Sequence, residues 1–181
     1  MPKDSIALIG FMATGKSIVG KALKEHLGKN YSFIETDLLI EDLAGKSIPK
    51  IFSEDGEALF REYELEACKK VAQLKKSIIS CGGGVVLNKE NIEILKQTCQ
   101  IVLLTASPEE IYCRAIKDGK ENRPIINKGD LYKEIETLLR YREPYYKSSA
   151  EIIIDTTKKS IDRIVEEILK QTRLHKKKRK N

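Results

Sequence analysis

Apolar residues fall in short unbroken runs that alternate with longer stretches of helical spacing. Ile6-Ala7-Leu8-Ile9 is such a run, closed by Gly10, and has the pattern of a strand buried on both faces. Similar runs return at Tyr31-Ser32-Phe33-Ile34, Ser77-Ile78-Ile79-Ser80, Ile101-Val102-Leu103-Leu104 and Ile152-Ile153-Ile154. Between the first two, Ile18, Val19, Ala22, Leu23 and Leu27 share one face of a helix predicted over 16–27, with Gly28 as its stop. Short helices are predicted over 37–44 and 47–54. A longer one over 56–75 carries Phe60, Tyr63, Ala67, Val71 and Leu74 at helical spacing. Further helices are predicted over 89–97, 107–117, 130–143 and 160–173. Ser107-Pro108-Glu109-Glu110 is a favourable helix start, and Pro144 is expected to end the 130–143 helix. Five apolar strands separated by helices predict an α/β fold, a parallel sheet covered by helices on both faces.

Two segments break the pattern. Residues 118–128, DGKENRPIINK, are polar and aperiodic and read as a mobile loop. The last residues, HKKKRKN, read as a disordered tail. The chain has 181 residues, which suits one domain with one sizeable core. Its 41% hydrophobic and 33% charged residues exclude a disordered chain. The net charge of +6 raises a polyanionic partner, but Lys176, Lys177, Lys178, Arg179 and Lys180 supply five of the 33 cations. Without them the rest of the chain carries +1, so neither a nucleic acid nor a membrane is expected as partner. Cys68, Cys81, Cys99 and Cys113 include no C-x-x-C pair, which argues against a zinc site or a disulfide framework. No signal peptide and no run of about 20 apolar residues is present, and a cytoplasmic protein is expected.

The sharpest chemical signal is Gly10-Phe11-Met12-Ala13-Thr14-Gly15-Lys16-Ser17, a G-x-x-x-x-G-K-[ST] phosphate loop between the first strand and first helix. Glycines let backbone N–H groups converge on phosphate oxygens, and the helix start adds positive dipole. Lys16 meets the β- and γ-phosphates, and the Ser17 hydroxyl ligates Mg²⁺. A nucleotide switch is the rival, because Asp42-Leu43-Ala44-Gly45 and Asn127-Lys128-Gly129-Asp130 match D-x-x-G and N-K-x-D. Neither follows a predicted buried strand, as those motifs require.

Other polar residues gather at strand ends, where open α/β sheets bind ligands. Glu35 and Asp37 follow the second strand, and Gly82-Gly83-Gly84 follow the third. Three glycines in a row suit a backbone that approaches a ligand or adopts unusual dihedrals. Arg142 continues the apolar face of Leu131, Ile135, Leu138 and Leu139, so it needs a carboxylate or phosphate partner. Arg61 follows Phe60 on another helix. Two arginines near an aspartate suit an anionic substrate that bears hydroxyls. Arg123 in the polar loop could close over a γ-phosphate and stabilise transition-state charge.

In order and spacing, GFMATGKS, FIETDLLIE, SIPKIFSEDGEALFRE, CGGGVV, RPIIN and REPYY resemble the shikimate kinase family from Ile6 to about Leu169. The resemblance implies a three-layer P-loop fold of the nucleoside-monophosphate-kinase group, with a five-stranded parallel sheet in order 2-3-1-4-5. One kinase domain would span 1–174, with a lid at about 117–128, followed by the basic tail 175–181. The implied reaction moves the γ-phosphoryl of ATP to the 3-hydroxyl of shikimate, in the chorismate route to aromatic amino acids. A kinase for another anionic polyol, such as gluconate, is the alternative within the fold.

By resemblance, Gly10, Ala13, Thr14, Gly15, Lys16, Ser17, Ile18 and Arg123 bind ATP. Asp37 holds the substrate hydroxyls and is the base for the attacking one. Arg61 and Arg142 pair with the substrate carboxylate. Gly82, Gly83 and Gly84 offer N–H groups, and Phe52 and Phe60 line the ring pocket. Ser17 and Glu35 hold one Mg²⁺ ion, although the family usually has Asp at the position of Glu35. The extra methylene can be absorbed by the ion's water shell. Either Arg114 or Lys117 matches the family's adenine-stacking arginine. A monomer with ATP and shikimate as its partners is expected.

Overall fold

The sheet is built from the five predicted runs. A computed structural model describes residues 3–117, 131–172 and 174. Arg123, most of the expected lid, the N-K-x-D motif and the basic tail lie outside the described residues. The strands are β1 (Ser5–Ile9), β2 (Ser32–Glu35), β3 (Ser77–Ser80), β4 (Cys99–Thr105) and β5 (Ile152–Asp155). Every neighbouring pair is parallel, in the order β2-β3-β1-β4-β5. Ile6 stands between Ile78 and Gln100, which places β1 at the centre.

Strand periodicity divides the core. Ala7, Ile9, Ile79, Ile101 and Leu103 join one buried cluster. Cys68 and Val71 of α4 (Gly56–Ala72) complete that layer, with Ile92 and Leu95 of α5 (Lys89–Thr98), Ile111 of α6 (Pro108–Lys117) and Ile135 of α7 (Leu131–Ser149). Ile6, Leu8, Ile78, Val102, Leu104 and Ile154 point the other way. They meet Val19 and Leu23 of α1 (Lys16–Leu27), and Ile164, Val165, Ile168 and Leu169 of α8 (Ile161–Gln171). Buried strands with apolar residues on both sides require helices on both faces, and this is the layering found.

Several boundaries differ from expectation for physical reasons. The segment predicted as one helix over 47–54 is a single turn, α3 (Ile48–Lys50), widening into a π-helical turn over Ile51–Asp55. It packs beside α2 (Thr36–Ala44) through Ile40 and Ile51. Asp42 lies exposed inside α2 instead of closing a strand. Ile18 was expected on the buried face of α1, yet it is 54% exposed at the cavity described below. Most consequential is Pro144, which does not end its helix: α7 continues through it to Ser149. An interior proline removes one backbone hydrogen bond and costs about 3 kcal/mol. The last turns offset this by burying Arg142, Tyr146 and Ser149.

Candidate active site

Gly10 can only be glycine here. Its φ is +144°, and a Cβ would stand 2.3 Å from the Leu104 carbonyl oxygen. The loop therefore packs directly against β4. Gly15 caps α1 in the left-handed conformation, and Ala13 also has positive φ, +57°. Lys16 Nζ donates to the carbonyls of Gly10 and Phe11 at 2.8 and 2.7 Å, so the lysine lies across its own loop. The Ser17 hydroxyl is 3.4 Å from that of Ser80 at the end of β3. Phosphate loop and triple-glycine turn are thus adjacent, and a cavity of about 680 Å³ opens between them. Ala13, Thr14, Gly15, Lys16, Ser17 and Ile18 contribute to its lining, as do Glu35, Asp37, Gly82 and Gly83.

Thr36 explains how Glu35 and Asp37 both reach this cavity. It is buried, and its hydroxyl accepts the Gly82 N–H at 2.9 Å. Anchored there, the turn from β2 into α2 leaves the two flanking carboxylates on the cavity wall. The Gly82 N–H, expected to face substrate, is engaged by Thr36 in this structure.

The three glycines keep ordinary dihedrals and lie close against charged side chains. A Cβ on Gly82 would fall 2.6 Å from Asp37 Oδ1, and one on Gly84 2.6 Å from Arg61 Nη1. Gly83 faces Arg142 Nη1. One short turn therefore gathers three charged residues from three helices. The Gly83 carbonyl accepts from Arg142 Nη1 at 3.4 Å and from Tyr146 Oη at 2.6 Å. Arg142 is only 9% exposed, and among the described residues its Nε hydrogen has no hydrogen-bond partner. A buried guanidinium with a free donor suits a carboxylate ligand.

Arg61 is held by two carboxylates of its own helix. It bonds Glu57 at 2.9 Å and both oxygens of Glu64, at 3.1 and 3.0 Å. Asn91 Nδ2 donates to Glu64 at 3.1 Å and to the Val85 carbonyl at 3.3 Å, tying the pair to the glycine turn. Burial raises the Glu64 carboxyl above its ordinary range despite Arg61, because it lies much deeper than its partner. For Arg61, burial is outweighed by attraction to Glu64 and hydrogen bonds to Glu57 and Glu64, and its affinity for the proton rises. Burial also pushes the Tyr146 hydroxyl up to about 12, so it remains a donor at neutral pH.

Phe52 and Phe60 do not line the cavity. Their rings stack 4.6 Å apart within a small core of Ile40, Ile51 and Ala67, and Arg61 Cζ lies 5.2 Å from the Phe60 ring centroid. Their place is beneath the arginine. Arg61 and Arg142 also stand outside the cavity lining, against Gly84 and Gly83.

On the nucleotide side, Arg114 and Lys117 both line the cavity. Arg114 is fixed by Glu110, by Thr156 and by the Ala13 carbonyl. Such anchoring favours Arg114 as the planar group of this wall. Sequence reasoning passed over Glu64, Asn91, Tyr146 and Thr156. Glu64 carried a signal, as a carboxylate on the apolar face of Phe60 and Ala67. Tyr146 is four residues beyond Arg142, a pairing visible only once the helix runs through Pro144.

A glycine-rich loop at a helix start, a lysine over it and a strand-end cavity define a P-loop nucleotide-binding protein. The family model for shikimate kinase matches residues 12–173. The chain is 44% identical over 165 residues to the shikimate kinase of Pelotomaculum thermopropionicum, covering 91% of this chain and 93% of that one. It belongs to the shikimate kinase family. Among solved structures, the shikimate kinase of Acinetobacter baumannii in complex with shikimate superposes with a TM-score of 0.85. That protein is 30% identical, and the match covers 98% of this chain and 95% of the other. A gluconokinase from Sinorhizobium meliloti, 15% identical with a TM-score of 0.56, shares the fold alone; the match covers 94% of this chain and 92% of that one.

Proposed function

We propose that this chain transfers the γ-phosphoryl of ATP to the 3-hydroxyl of shikimate, giving shikimate 3-phosphate and ADP for aromatic amino-acid synthesis. The observation that carries the reading is the glycine turn, which places Asp37, Arg61 and Arg142 beside a cavity that also holds Lys16. Arg61 and Arg142 clamp the substrate carboxylate. Asp37 orients the hydroxyls and accepts the proton as the acceptor oxygen bonds to Pγ and the bridging oxygen leaves with ADP. Lys16 and loop N–H groups stabilise charge on the phosphates, and Arg123 is assigned there by resemblance. Positioning and charge stabilisation supply most of the rate in such transfers.

One Mg²⁺ ion fits this wall. Ser17, Glu35 and Asp37 offer hard oxygen donors on the same cavity. Among the described residues no group of three or more His, Cys, Asp or Glu could hold a metal. Few protein ligands, with phosphate and water completing the shell, suit Mg²⁺. Ser17 and Glu35 would hold the ion, which neutralises phosphate charge when bound. Every group named belongs to one chain, so a monomer suffices. Residues 1–174 serve as one kinase domain, with 175–181 as a basic extension. Free cysteines suit a reducing cytoplasm, and among the described residues no helix is long and apolar enough to cross a membrane.

The test is coupled ADP release with shikimate, gluconate, nucleoside monophosphates and water as acceptors. Turnover should depend on shikimate. Turnover with gluconate or water alone would overturn the reading.

A further inference from the structure

The turn after β5 reaches the back of the phosphate loop. On it, Thr156 is completely buried. Its hydroxyl lies 2.9 Å from the Thr105 carbonyl oxygen and 3.2 Å from that of Thr14. A hydroxyl has one hydrogen to donate, so it serves one of these acceptors at a time. The Thr105 oxygen already accepts the Thr156 N–H at 2.8 Å. A carbonyl oxygen has two lone pairs, so the hydroxyl hydrogen can serve Thr105 or Thr14, and the Thr14 carbonyl, within the loop, faces it.

Arg114 grips the same hydroxyl from outside. Its Nη1 donates to Thr156 Oγ1 at 3.1 Å and to the Ala13 carbonyl at 3.3 Å, while Nη2 donates to the Thr156 carbonyl at 2.9 Å. Two consecutive loop carbonyls, Ala13 and Thr14, are thus held by Arg114 and Thr156. In a trans peptide the N–H points opposite to the C=O. The Thr14 carbonyl faces buried Thr156, which is not on the cavity wall, so the Gly15 N–H points the opposite way, and Gly15 lines the cavity. Ala13 sits at φ +57°, a conformation that persists only where its surroundings over-determine it.

We propose that Thr156 is a positioning residue for the nucleotide phosphates: its hydroxyl, held between Arg114 and the Thr14 carbonyl, sets the peptide planes of the phosphate loop. The inference rests on the assignment of that loop to ATP. It is tested by calorimetric titration of the full chain with Mg²⁺–ADP and, separately, with pyrophosphate. Thr156→Val keeps the shape and removes the hydroxyl; Thr156→Ser keeps the hydroxyl. The valine variant should bind both ligands about tenfold more weakly, with the serine variant within about twofold of wild type. KM for shikimate should not move in either. Wild-type affinity in the valine variant overturns the inference. So does a loss confined to ADP, which would place the effect at the base, and so does a serine variant as weak as valine. A wild-type chain that binds neither ligand removes the ATP assignment itself, and the inference with it.

Discussion

The phosphate side of the cavity draws its groups from eight consecutive residues, Gly10 to Ser17, most of them through the backbone. The acceptor side draws on Asp37, Arg61, Gly82–Gly84 and Arg142, four segments spread over more than a hundred positions. Backbone N–H groups at a helix start need the right turn and only a few braces from elsewhere, here Arg114 and Thr156. Side-chain charges brought together from three helices need neighbours that hold them. Glu57, Glu64 and Asn91 do so for Arg61, and the Gly83 carbonyl and Tyr146 for Arg142. A phosphate site can therefore be nearly local, whereas recognition of a small carboxylate depends on long-range packing.

The comparison can be broken most sharply at Lys16. Lys16→Met should lower kcat about 10³-fold by removing transition-state charge stabilisation. KM for shikimate should change far less, and steady-state kinetics with each substrate varied separately will show it. A shikimate KM that rises in step with the loss of kcat would mean the two sides are not independent.

Arg142→Ala comes next. It should raise KM for shikimate about 100-fold, the value of a charge-assisted pair, while ADP affinity stays near wild type. Equal loss of both would make Arg142 a structural residue.

Glu64→Gln sharpens the contrast through pH. Burial favours the protonated form of Glu64 in the folded chain. Its stabilising contribution is therefore complete below the ordinary carboxyl value of 4.5 and is lost as pH rises through the higher folded value. Above that folded value the ionised side chain subtracts from stability, while its oxygens orient Arg61. Glu64→Gln should keep or raise the unfolding temperature at pH 7, yet raise KM for shikimate about tenfold. Any stability advantage of the variant should shrink toward pH 4.5. A variant less stable than wild type at pH 7 would show that the pair chiefly holds the fold.

The smallest effect is expected from truncation after Arg173. Turnover and both KM values should stay within experimental scatter of wild type, and a clear fall would bring the basic tail into the site.

Much of this was legible from residue pattern. Strand runs, the phosphate loop, the Glu35–Asp37 pair and the glycine turn are short-range signals, because each is set by a few adjacent residues. The inward position of Arg142 was also legible, since helical spacing alone put it on an apolar face. What escaped was of two kinds. Pro144 suggested a stop, because local propensity cannot weigh the burial of Tyr146 and Ser149 beyond it. The stacking of Phe52 on Phe60 beside Arg61 was the other, because ring character does not reveal which neighbour the ring meets.

By itself the sequence determined the order of elements, the parallel α/β class and the chemistry of the phosphate loop, all consequences of periodicity and local turn geometry. Only the tertiary structure decided that the Gly82 N–H is engaged by Thr36, that Glu64 orients Arg61 from within the core and that Thr156 braces the phosphate loop. Those contacts join residues from separate elements, and a hydrogen bond or buried ion pair exists only once packing has set both partners' distance and solvation.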